Sequence, residues 1–203
     1  VYKRQDMREI TISDKSEACD FIKDSCKECN RKYECTGENA AFCNHMKNIL
    51  VAKYGAAEGC LKESRIRHSM GVANFLFAYA KSHDWSKEET EDLYLTGLLH
   101  DIGYIDNPKG TDHGRLGAEI LKRNGLNAEI CELISCHGRF IENPSRKQAL
   151  LWLADLCVNR DGDYIGYQKR YESIKERYKN DPERLFQVYR ILEYLQIHFS
   201  EYR

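Results

Sequence analysis

Beyond residue 64, apolar residues recur every three or four positions, and they do so on more than one face of a segment. Across 64–82, Ile66, Met70, Ala73, Phe77 and Ala80 form one stripe; His68, Val72, Phe75, Leu76 and Tyr79 form a second. A helix that is apolar on two faces cannot lie on a surface and must be enclosed by other elements. Further helix signals follow. Ser86 with Glu89 forms a capping box that opens a helix to about Leu99. A helix from about His113 to Arg123 stops at Gly125. The next covers about 127–137, with Ile130, Leu133, Ile134 and His137 at helical spacing. Pro144 precedes a strongly apolar helix through Cys157. Two polar, Tyr-rich helices complete the chain, near 163–179 and 183–199, the second started by Asp181 and Pro182. Strand signals are confined to TIS at 11–13. The expected class is all-α.

Composition sets the outer limits. A chain of 203 residues fits one domain with a small appendage, and 42% hydrophobic residues excludes wholesale disorder. With 31 basic and 32 acidic side chains the formal charge is −1, which disfavours long nucleic acid held by bulk phosphate attraction. No apolar run approaches the ~20 residues of a membrane span, and the opening VYKRQDMREI has no signal-peptide core. A cytoplasmic location is expected. Nine cysteines are present, an odd number in a chain without a secretory signal, which argues for metal binding or burial over disulfides. Four of them fall in CKECNRKYECTGENAAFC (26–43), a segment with almost no aliphatic residues. The chain is therefore divided into a Cys-rich module, 1–60, and a helical domain, 61–203.

Several polar residues stand where apolar ones are expected. Asp155 lies inside ALLWLADLCV (149–158). A lone carboxylate buried there would cost several kcal/mol unless a cation, donors or a metal compensated. His137 and His68 continue the apolar faces of their helices. The chain has two His-Asp pairs. His83-Asp84 lies in the polar connection KSHDWSKEE and reads as a solvated turn. His100-Asp101 follows LYLTGLL, so it is carried to the end of a buried helix, and Gly97 and Gly103 around it allow close backbone approach.

The order His68, His100-Asp101, His113, His137, Asp155 resembles the HD-domain superfamily of metal-dependent phosphohydrolases. LLHDIGYIDNPKGTDHGRLGAEIL (98–121) is similar to the HDIG-type core motif, IRHSMGVANF to the first-histidine helix, ICELISCHG to the helix delivering a later histidine, and WLADLC to the closing-aspartate helix. The chain departs from some relatives: His137 is single where they carry paired histidines, Tyr104 replaces a Lys after HDIG, and no GYP signature is present. The resemblance implies an HD-type helical bundle holding two divalent transition metals (Fe, Mn, Zn or Co) on His68, His100, Asp101, His113, His137 and Asp155, with Asp101 shared. Two such ions can share a hydroxide and hold a phosphoryl group for in-line attack. The implied substrate is a small phosphorylated molecule, a nucleotide by expectation, cleaved at a phosphoester or phosphoanhydride. Arg65, Lys109, Arg115, Arg139 and Arg160 are the candidate substrate cations, Arg65 and Lys109 being the ones placed nearest the chemistry.

Cys26 and Cys29 form a CxxC pair, with Cys35 and Cys43 completing a four-thiolate set for structural Zn or an iron–sulfur cluster. Cys131, Cys136 and Cys157 read as small buried hydrophobes. Two other functions stay open at this point: a di-iron oxygenase using the same six ligands, and a nucleotide sensor without turnover. The oligomeric state is open, a homodimer included.

Overall fold

A computed structural model describes residues 63–203, apart from 106–109, 111 and 124. The Cys-rich module, with Cys26, Cys29, Cys35 and Cys43, the TIS segment and Lys109 lie outside the described residues. Seven α-helices and two 3₁₀ turns make up the described part: α1 Glu63–Ser82, α2 Lys87–Leu99, a 3₁₀ turn Ile102–Ile105, α3 His113–Arg123, α4 Ala128–Cys136, α5 Arg146–Cys157, α6 Tyr167–Arg177, α7 Pro182–His198 and a 3₁₀ turn Ser200–Tyr202. No strand occurs among the described residues; Val158 and Tyr164 form an isolated bridge. The fold is the all-α bundle that the apolar spacing demands.

Local chemistry sets the helix ends. Ser86 Oγ accepts from Glu89 N at 3.2 Å while Glu89 Oε2 accepts from Ser86 N at 3.1 Å, the reciprocal box that opens α2. Asn127 Oδ1 caps α4 and Ser145 Oγ caps α5. Asp181 Oδ1 accepts from Arg184 N, with Pro182 in the first turn of α7. One boundary differs from expectation. The helix placed at 163–179 begins only at Tyr167, because Asn159–Gly166 is a turn with Gly162 and Gly166 at φ +89° and +79°.

Both apolar stripes of α1 are enclosed: Met70, Val72, Ala73, Leu76, Phe77 and Ala80 are all buried. The helix packs against both α2 and α5. Among the described residues helix α5 is central and touches α1, α2, α4, α6 and α7. It is buried along nearly its whole length, Trp152 included; Asp155 is the break in that run. The helix α1–α2 contact is close because Gly97 lies on Ala73, where any Cβ would sit 2.7 Å from the Ala73 Cα.

Candidate metal centre

Six acidic and imidazole side chains from five separate segments meet beside α5. His68 comes from the second turn of α1 and Asp155 from the last turn of α5. His100 is the residue that closes α2, and Asp101 follows it. His137 closes α4 in the same way, and His113 opens α3. Helix ends are useful positions here, since a terminal residue is free of the next turn and its side chain can turn inward.

The four imidazoles share one orientation. Nδ1 of His68 contacts Asn159 O at 3.0 Å, His100 Gly97 O at 2.7 Å, His113 Gly110 O at 2.9 Å and His137 Ile134 O at 2.6 Å. A carbonyl oxygen only accepts, so Nδ1 donates in each ring and Nε2 is left with a lone pair when the ring is neutral. All four Nε2 atoms point inward. His68 Nε2 is 2.9 Å from Asp155 Oδ1. His113, His100 and His137 Nε2 lie 3.5, 3.7 and 3.7 Å from Asp101 Oδ1. Three overlapping groups have ligand atoms within 4.8 Å of one another: His68–His100–Asp101, His100–His137–Asp155 and Asp101–His113–His137.

Two details show that this donor set suits a cation. His100 Nε2 is buried with no hydrogen-bond partner, an orphan lone pair that costs free energy unless something electrophilic meets it. His113 and His137 Nε2 are 2.8 Å apart, and two lone pairs at that distance repel unless a proton or metal ion lies between them. The protonation pattern agrees. Burial pushes His100 and His113 down to about 4. Burial opposes charge on His137 too, yet the Asp101 hydrogen bond and charge raise it. Burial works against ionised Asp101, but His100 and Arg65 outweigh it and hold the carboxyl well below its usual range. Asp155 is held down through His68 in the same way. Two carboxylates and four imidazoles with inward lone pairs are the ligand chemistry of a divalent transition metal. Asp155 at 28% and His113 at 15% side-chain exposure, against 4% or less for the other four, mark where the centre opens to solvent.

The candidate substrate cations have different fates. Arg65 reaches the centre: Nη1 is 2.8 Å from Asp101 Oδ2, and the guanidinium lies 3.8 Å over the Tyr104 ring. Tyr104 stacks in turn on His113. Arg115 is exposed and paired with Asp112 at 2.6 Å and with Glu119. Arg139 is exposed just beyond α4, and Arg160 just beyond α5. His83 and Asp84 are exposed, as a solvated turn should be. Sequence reasoning missed the groups that orient the imidazoles, because main-chain acceptors such as Asn159 O have no side-chain signature. It also missed Arg184, whose Nη2 donates at 2.7 Å to the same Gly110 carbonyl that holds His113.

The HD domain family matches residues 65–188, more than half of the chain and all six of these side chains. The chain belongs to the HD domain family. HD domains form a superfamily of metal-dependent phosphohydrolases that bind divalent metals. Ribonuclease Y of Fervidobacterium nodosum is 35% identical over 92 residues, covering 41% of this chain and 18% of that protein. An uncharacterized protein of Methanocaldococcus jannaschii is 31% identical over 77 residues, covering 37% of this chain and 45% of that one. The chain thus spans less than half the length of either relative. No solved structure gives a significant match. No helix among the described residues is long and apolar enough to cross a membrane.

Proposed function

We propose that this HD domain hydrolyses a phosphoester or phosphoanhydride of a small phosphorylated substrate, by expectation a nucleotide, using two divalent metals (Fe, Mn, Zn or Co). The observation that carries the reading is the convergence of four imidazole Nε2 atoms and two carboxylates on one buried centre, with Asp155 and His113 as its more exposed members. His68, His100, Asp101 and Asp155 would hold one ion and Asp101, His113 and His137 the other. When bound, such ions polarise a phosphoryl oxygen and lower the pKa of a water. The chain's own residues supply the rest. The four main-chain carbonyls keep each imidazole in one tautomer and one rotation, so little reorganisation is needed at the moment of reaction. Arg65 fixes Asp101 by taking its second oxygen, and with 23% of its side chain exposed beside the centre it is the cation placed to meet a phosphate. Tyr104, packed between Arg65 and His113, keeps water from that side. Burial pushes its hydroxyl pKa up, so it remains a neutral donor.

The test is phosphate or nucleotide release by the purified chain, loaded in turn with each metal, from a panel of nucleotides. Short RNA belongs in that panel because one relative is named a ribonuclease. Asp101→Asn should reduce turnover by more than about a hundredfold, as expected when a shared metal ligand is lost. Absence of turnover with every metal, or an active Asp101→Asn variant, rejects the proposal. The Cys-rich segment is proposed as a separate module holding Zn or an iron–sulfur cluster on Cys26, Cys29, Cys35 and Cys43. Metal analysis of a Cys26→Ser, Cys29→Ser double variant checks it: one bound species should be lost while the HD-site metal stays.

A further inference from the structure

The cations on and just beyond α6 differ in burial. Lys175 and Lys179 are exposed and lie near Glu172 and Glu176 at 3.9 and 2.9 Å. These are ordinary solvated pairs. Arg170 is the opposite. It is 5% exposed, its Nε is sealed without a hydrogen-bond partner, and no carboxylate lies within ion-pair distance among the described residues. A buried guanidinium without an anion costs several kcal/mol, and proteins retain one where an anion is supplied from outside.

The location says where that anion would sit. Helix α6 packs directly on α5, the helix that carries Asp155. Arg170 is therefore buried on a helix that packs against the Asp155-bearing one, and Asp155, more exposed than the other carboxylate of the centre, is the charge that acts on it most strongly. Arg177 lies two helical turns further along the same face of α6 and half-buried, its guanidinium 5.7 Å over the Tyr178 ring. Arg184 covers Tyr178 at 4.4 Å. Arg160 follows the C-terminal end of α5, five residues after Asp155. Arg65 is engaged by Asp101 and Arg184 by Gly110 O. Arg160, Arg170 and Arg177 have no carboxylate partner among the described residues.

We infer that Arg170 and Arg177, with Arg160, form a phosphate-binding wall beside Asp155 that grips a phosphate of the substrate other than the one attacked. The substrate is accordingly a small molecule with at least two linked phosphates. A phosphoryl group held at the centre already meets the metals and Arg65, so three further guanidiniums require a further anion. This assignment rests on the hydrolase reading of the site, but it can be tested apart from turnover.

The experiment is calorimetric binding of orthophosphate, pyrophosphate and tripolyphosphate to the full chain, in wild type, Arg170→Met and Arg177→Met. Wild type should bind tripolyphosphate at least about tenfold more tightly than orthophosphate, as one additional charge-assisted contact provides. That ratio should fall toward one in either variant. Arg177→Met serves where Arg170→Met does not fold, since Arg177 is only half-buried. A wild type without preference for the longer anion overturns the wall, and so does a ratio unchanged in both variants. A short oligoribonucleotide that competes better than tripolyphosphate overturns the linked-phosphate assignment. Tripolyphosphate preference in a protein that hydrolyses nothing sinks the hydrolase reading and leaves the wall standing. Turnover without that preference does the reverse.

Discussion

Asp101 is nearly sealed from water, and its ionisation depends on the cations around it. Its Oδ2 is held by Arg65 at 2.8 Å, while its Oδ1 faces three imidazoles. Replacing Arg65 with Met keeps the volume and removes that cation. Breaking a buried pair from one side typically costs about 3–5 kcal/mol; with Arg65 partly exposed, about 2–3 is expected in metal-free protein. Added Mn or Zn should restore part of the loss, because a bound ion replaces the missing charge. Chemical denaturation with and without metal checks this, and a variant as stable as wild type in both states contradicts the pairing. A second residue-scale expectation concerns Cys157. Burial pushes its thiol up to about 12, so at pH 8 it is almost wholly protonated and shielded. Mass-spectrometric mapping after alkylation of the native chain should find Cys157 unmodified, and modified only after unfolding. Residues of this kind were legible as residues: an aspartate in an apolar run, a histidine on an apolar face and a cysteine on a core helix each announce a burial problem. The solution, such as Asn159 O for His68 Nδ1, was not legible, because it belongs to the main chain of a distant turn.

Elements are decided by ends and by close approaches. The capping box of α2 is local and was readable from Ser86 and Glu89 alone. Ser86→Ala should destabilise the domain by about 1 kcal/mol at neutral pH. The pH dependence follows from Glu89, whose carboxylate is held below its ordinary value of 4.5 by the hydrogen bonds of Ser86. A carboxylate depressed on folding stabilises above its unfolded pKa, and that share is lost as pH falls through the folded value. The gap between wild type and Ser86→Ala should therefore narrow between pH 7 and pH 3 in thermal melts; a constant gap would remove Glu89 from the account. Gly103 is a different case. A Cβ there would run into His113 O and Gly117 N, so the 3₁₀ turn after Asp101 and the start of α3 meet backbone to backbone. Gly103→Ala should displace His113 from the centre, costing more than about 2 kcal/mol by overpacking and lowering metal stoichiometry from two toward one. Equilibrium dialysis against Mn measures it. The sequence indicated that Gly103 permits a close approach, but not which element makes it.

The whole molecule turns on α5, which touches five other helices and brings Asp155 to the centre. Trp152→Ala, one turn before Asp155, should cost about 3–5 kcal/mol. It should loosen metal binding as well as stability, because the helix that packs the core also aims a ligand. The helical class and most helix limits followed from sequence alone, as did the burial problems posed by His68, His100-Asp101, His137 and Asp155; His113 joined them only through the family resemblance. Apart from His113, each is a local property: apolar spacing, caps, and polar residues set in apolar surroundings. The tertiary structure alone decided how the cations are used. Arg65 pairs with Asp101, an engagement that depends on α1 packing against α2. Arg115, beside His113 in sequence, pairs with Asp112 and Glu119 on the outside. Arg170 lies fifteen residues beyond Asp155 in a polar helix with no signal of its own, yet it is buried where that helix packs on α5. A charged side chain is long and most positions for it are solvated, so only the packing of one helix on another determines whether its charge meets water, a carboxylate or a substrate.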